Sequence, residues 1–293
     1  MKKKPNHPVI IIGMHRSGTT MLVEMLENLG LFIGKRREQN QEALFFLRLN
    51  DWILSQSGAT WDNPGPIHHL LSYPDLRSRV TDYLRTFVGS PQTASYLGVW
   101  RYLRHRSLLN LPFDWGWKDP RSTFTLPLWL DLFPDARVLH VYRHGVDVAM
   151  SLRHRERGIL EQKRRRASMH DTLYTIRPAW ANFTSSARCS TLEGGFGLWE
   201  EHMAAARAAG EGQDQDTFLE LKYEQLLSDP APNLARAAVF CGLEAGQTKI
   251  DTLVSAVRPD RGLAFASDDE AVAFTRSVGD RLQAHGYRQH ASK

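Results

Sequence analysis

Cysteine is scarce in this chain: two residues, Cys189 and Cys241, among 293. Two thiols make neither a disulfide framework nor a metal set, which suits a reducing, cytoplasmic compartment. Long apolar runs are missing, so no segment is expected to span a bilayer. The basic start Met1-Lys-Lys-Lys4 is followed by the apolar run Val9-Ile-Ile-Ile12 and then a glycine, a run too short for the core of a secretory signal. Internal repeats and low-complexity tracts are absent; the nearest approach is the basic run Lys163-Arg-Arg-Arg166. Strong charge imbalance is lacking as well. A formal net charge of +5 favours anionic ligands but is too mild to imply nucleic acid. The histidines show no metal-ligand spacing, and of those weighed only His15 is a candidate for chemistry. Ser17 lies in no G-x-S-x-G elbow and has no ordered triad behind it, so a nucleophilic hydrolase is unsupported.

What is present is an ordinary globular composition, 42% hydrophobic and 24% charged, over a length that predicts one large α/β domain. The stretch Pro8-Val-Ile-Ile-Ile-Gly-Met-His-Arg-Ser-Gly-Thr-Thr20 organises it. Val9 to Ile12 reads as a buried strand that ends at Gly13. The turn through Gly18 opens a helix with Leu22, Met25, Leu26 and Leu29 on one face and Gly30 as its cap. Strand, glycine turn and helix together point backbone N–H groups and a positive helix end at an anion. The spacing Gly13-x4-Gly18-Thr19-Thr20 is that of a nucleotide P-loop, with Thr19 where the lysine belongs and the cation earlier, at Arg16. Such a loop cradles a phosphate but is poorly equipped for a γ-phosphate with Mg²⁺.

Residues 41–57 read as a second helix, with Glu42 on the same side as Phe46, Leu49 and Ile53; a carboxylate there would have a raised pKa and suit a general base. In Trp117-Lys-Asp-Pro-Arg121, Lys118 and Arg121 bracket a proline turn. Helix follows from Ser122 and stops at Pro134. A second buried strand, Arg137-Val-Leu-His-Val-Tyr142, ends in Arg143 and passes into a helix that carries Ser151 in its first turns. Ligands collect at the carboxyl ends of parallel strands, so Arg143 and Ser151 are placed for a second phosphate. An Mg²⁺-holding Asp would be expected there in a triphosphate enzyme. Residues 153–190 read as an irregular basic excursion or lid, 217–222 as a third strand delivering Tyr223, and the tail beyond Arg258 as weakly structured.

Four segments, in order, then resemble the sulfotransferases that use 3′-phosphoadenosine 5′-phosphosulfate (PAPS). They are Gly13–Thr20, Trp117–Arg121, Leu132–Arg143 with Asp147–Ser151, and Lys222–Pro230. The likeness is greatest to bacterial enzymes of the Arg-Ser-Gly-Thr-Thr type and to the tyrosylprotein group. The resemblance implies a P-loop-type three-layer α/β fold with a central, mainly parallel sheet, and a single domain over 1–293. It makes Arg16, Ser17, Gly18, Thr19 and Thr20 the 5′-phosphosulfate loop and sets Lys118 near the bridging oxygen. Arg143 and Ser151 would hold the 3′-phosphate, with Tyr223 beside the adenine. Glu42 becomes the candidate base, with Lys118, Arg16 and His15 as further candidates for catalysis. Whether Arg258 or Arg261 completes the 3′-phosphate site stays open. PAPS would be donor and PAP product, with no metal required. A glycan, lipid, phenol or peptide acceptor is compatible with a cleft lined by Trp52, Trp61 and Trp115. The rival readings are a P-loop kinase and a non-catalytic polyanion-binding protein using the 163–166 run.

Overall fold

Val9–Ile12 forms strand β1, and all four of its residues are buried. In this computed structural model, which describes residues 6–176 and 184–287, β1 lies inside a four-stranded parallel sheet of order β2-β1-β3-β4. The other strands are β2 (Gly116–Lys118), β3 (Arg137–Tyr142) and β4 (Phe218–Lys222). Ile11 pairs with Lys118 on one side and Leu139 on the other, and Tyr142 pairs with Lys222. The apolar runs are unbroken because both sheet faces are covered. Ile10 and Ile12 enter one core with Phe46, Trp117 and Trp129; Val9 and Ile11 enter the other with Leu22, Leu26 and Leu234.

The contacts of the chain divide it into two compact units. The first runs to Arg143 and resumes over Glu201–Gly262; it contains the whole sheet. Helices α1 (Thr19–Leu29) and Pro230–Phe240 cover one face, and helices α2 (Leu44–Ser55) and Ser122–Leu132 the other. This is the expected three-layer arrangement. Strand β2 was not anticipated: three residues with a glycine carry little strand signal, and pairing to β1 makes the strand. Gly116 is needed there, since a Cβ would stand 2.1 Å from the Val9 carbonyl oxygen.

The second unit comprises His144–Glu200 and the chain from Leu263. Its long helix, Gly145–Ile176, replaces the irregularity expected from residue 153. Arginine, glutamate, glutamine, lysine and leucine are strong helix formers, and a density of like charge does not break a helix. The side chains of 163–166 and all of 177–183 lie outside the described residues. The Asp147 carboxylate accepts the Phe265 N–H at 2.8 Å, and Arg281 pairs with Glu193 and Glu200. The tail also holds helices Asp269–Ser277 and Gly279–Ala284, which its weak apolar periodicity did not announce. Among the described residues no helix is long and apolar enough to cross a membrane.

Candidate functional site

Parallel strands end on one edge, and here that edge gathers the loop after β1, Lys118 ending β2, Arg143 just past β3 and Tyr223 just past β4. The loop after Ile12 is built from left-handed backbone, with φ of 138° at Gly13, 71° at Arg16 and 84° at Gly18. Gly13 lies so close to β3 that a Cβ would stand 2.1 Å from the Val141 carbonyl oxygen. At Gly18 a Cβ would meet the Tyr223 ring at 2.2 Å, so the glycine lets the tyrosine lie on the loop. Gly18 caps α1, whose first-turn N–H groups have no intrahelical acceptor. Ser17 is fully buried, and its Oγ has no hydrogen-bond partner among the described residues.

Lys118 is buried next to this loop. Its Nζ donates to Glu42 Oε1 at 2.9 Å and to the Asn40 carbonyl at 2.8 Å. The same carbonyl accepts Thr20 Oγ1 at 3.2 Å, so one oxygen ties α1 to the lysine. Glu42 is buried too, with Arg121 3.6 Å from its second oxygen. Burial pushes the Glu42 carboxyl above its usual range; the Lys118 ammonium pulls the other way but does not prevail. Arg121 is clamped by Asp51 at 2.6 Å and Asp119 at 3.0 Å, and Asp119 accepts Asn50 Nδ2 at 2.8 Å. Asn50 also donates to Ser122 and accepts from Thr125 and from the Trp129 indole. A lysine, an arginine, three carboxylates and a saturated amide thus form one connected network.

The model of the sulfotransferase family matches residues 8–247. The chain belongs to the sulfotransferase family. Two curated proteins, both named omega-hydroxy-beta-dihydromenaquinone-9 sulfotransferase Stf3, come from Mycobacterium tuberculosis (strain CDC 1551 / Oshkosh) and Mycobacterium bovis (strain ATCC BAA-935 / AF2122/97). Each is 23% identical over 275 residues, 80% of this chain and 63% of the relative. The chain therefore spans less than two thirds of the length of these relatives. Among solved structures, the sulfotransferase domain of the Synechococcus PCC 7002 olefin synthase is 19% identical, with 99% of this chain and 91% of that one covered and a TM-score of 0.44. A sulfotransferase from Alicyclobacillus acidocaldarius is 15% identical, with 97% of each chain covered and a TM-score of 0.47.

Within this chain the expected residues fall unevenly. Arg143 comes to the loop: its guanidinium donates to the Arg16 carbonyl at 3.5 Å and to the Arg261 carbonyl at 2.8 Å, and lies 5.0 Å from the Tyr223 ring centre. Arg16, Arg143 and Tyr223 therefore share one locale, and the backbone of Arg261 joins them. Ser151 belongs to the other unit, half-buried on the Gly145–Ile176 helix. His15 sits edge-on to Trp61, ring centres 5.1 Å apart. Glu42 is not on a helix: Gln41 adopts a φ of 65° and α2 begins only at Leu44. The periodicity that put Glu42 beside Phe46 was extended three residues too far. Trp115 is a correction as well, since it is buried in the core against Phe46, Trp117 and Phe133 and lines no cleft. Trp52 stacks on Tyr83 at 4.3 Å. Sequence reasoning passed over Asn50, Asp51 and Asp119; the one signal was a polar pair interrupting the apolar run of α2.

Proposed function

We propose that this chain transfers the sulfuryl group of PAPS to a hydroxyl or amine of an acceptor and releases PAP. The observation that carries the reading is the Ser17 hydroxyl, fully buried without a partner inside an anion-shaped loop. A buried polar group left unpaired costs about 1–3 kcal/mol, and a bound phosphate oxygen would remove that cost. The residues present therefore fit a nucleotide with a 5′-phosphosulfate. PAPS supplies a sulfuryl group already activated as a mixed anhydride. The chain's part is positioning and charge, by analogy with phosphoryl transfer.

The loop N–H groups, Ser17, Thr19, Thr20 and Arg16 bind the 5′ end. Arg143 takes the 3′-phosphate, and Tyr223 borders the adenine. Lys118, now held by Glu42 and Asn40, turns its ammonium toward the 5′-phosphate oxygens, where negative charge grows. That movement withdraws the cation that lowers the Glu42 pKa, so the carboxylate becomes a stronger base when the acceptor proton must leave. His15 and Trp61 frame the approach to the loop. An acceptor hydroxyl carried by a lipid heads the candidates, because the curated relatives are named for one.

Thermal shifts with PAP in EDTA, set against ATP with Mg²⁺, test the nucleotide. Stronger stabilisation by metal-free PAP is expected, and an ATP–Mg²⁺ preference would return the kinase reading. Isotope-labelled PAPS offered with lipid, glycan, phenol and peptide acceptors, read by mass, tests the transfer; a panel with no sulfated product would count against it.

A further inference from the structure

No side chain of helix Val99–His105 is fully buried, although Tyr102 packs part-buried against the core and His105 lies edge-on to Phe113. Its composition is not that of a solvated helix. Trp100 is 84% exposed, Val99 64% and Leu103 48%. At 3.6 residues per turn these three fall within an arc of about 100°. Leu109, also exposed, follows just beyond the helix end. Arg104 borders that arc and Arg106 follows it at the helix end, whereas Arg101 and His105 lie on the far side, and the chain has no Asp or Glu between Asp82 and Asp114. Two of these arginines lie over aromatic rings, Arg101 4.5 Å from the centre of Phe32 and Arg106 5.5 Å from that of Tyr102. The helix is anchored through the segment that precedes it, where the Lys35 N–H donates to the Tyr96 carbonyl at 2.7 Å. It is bounded by left-handed residues, Gly98 at φ 77° and Arg106 at φ 62°. Nothing in the proposed reaction uses it.

We propose that this helix docks the protein on an anionic lipid surface, with Trp100, Val99 and Leu103 entering the acyl boundary and Arg104 and Arg106 meeting headgroup phosphates. An exposed tryptophan beside aliphatic side chains with a cationic border is what an interfacial helix needs: apolar area to bury and positive charge to hold it down. Solvent gives that apolar cluster no reason to persist. A second copy of the same helix is a poorer occupant, because it would set arginines against arginines. Surface docking is distinct from spanning and requires no long apolar helix. It is also independent of the sulfuryl transfer, so its test uses no nucleotide.

The test is flotation of the full chain with phosphatidylcholine vesicles, with and without phosphatidylserine, at low and high salt. Wild type should float with the phosphatidylserine vesicles and fall off as salt rises. Trp100→Ser should weaken binding about tenfold, and Arg104→Glu should weaken it on anionic vesicles alone. Unchanged melting temperatures would show that both variants fold. Three results would overturn the proposal: no flotation of wild type, flotation that survives both substitutions, or a concentration-dependent dimer that Trp100→Ser dissolves. The second would assign the binding to another basic segment, and the third would make a second copy the occupant.

Discussion

Replacing Ser17 by alanine separates a structural hydroxyl from a ligand-binding one, because the two roles predict opposite signs. The Ser17 side chain is fully buried and its Oγ has no partner among the described residues. Removing a hydroxyl of that kind relieves part of a desolvation cost of about 1–3 kcal/mol. With loss of a few contacts set against it, the ligand-free protein should gain about 1 kcal/mol, or roughly 1.5 °C in Tm for a chain of this size. Binding should move the other way. A hydrogen bond from a hydroxyl to a charged phosphate oxygen contributes about 1.5–3 kcal/mol, so the Kd for PAP should rise about 10- to 150-fold. Differential scanning fluorimetry reads the first effect and titration calorimetry with PAP the second. A variant that melts lower and binds PAP as tightly as wild type would refute the reasoning, for Ser17 would then be holding the loop together.

Further outcomes follow from the buried network and from the second unit. Because burial raises the Glu42 carboxyl, kcat/KM should climb with pH through a value above the ordinary carboxylate range; Glu42→Gln should lose that limb and most of its turnover while keeping PAP affinity. A wild-type rate in that variant would remove Glu42 from the reaction. Asn50→Ala should destabilise the fold by about 2–4 kcal/mol, since it takes one donor from the buried Asp119 carboxylate, which keeps Arg121, and leaves the Trp129 indole N–H without an acceptor; a urea midpoint unchanged at constant m would contradict this. In the second unit, burial pushes Glu156 up, but hydrogen bonds from Ser185, Thr184, the Ser186 N–H and Arg155 outweigh it and hold the carboxyl at about 2. A depressed carboxyl stabilises above its unfolded pKa and loses that stability as pH falls toward 2. Glu156→Gln should therefore flatten the acid limb of stability, and acid melts identical to wild type would show that the cluster contributes nothing.

The sequence by itself determined the corner from β1 through the glycine turn into α1, because everything that makes it is local. An apolar β-branched run, glycines where the backbone turns left-handed, and a helix-period face fit within about two dozen residues, and each is set by φ/ψ sterics or side-chain spacing. The arginine ending β3 and the tyrosine following β4 were legible for the same reason: strand ends can be read, and parallel strands end together. Tertiary structure alone decided where Glu42 stands. Its partner Lys118 is 76 residues away, and the pairing depends on a left-handed Gln41 that no periodicity reveals. It alone also made β2 a strand, by hydrogen bonding it to β1, and turned Asn50 from a polar blemish in α2 into the amide that joins Asp119, Thr125 and Trp129. Local sterics write themselves into neighbouring residues. Charge pairing and buried hydrogen bonds join residues that only the folded chain brings together.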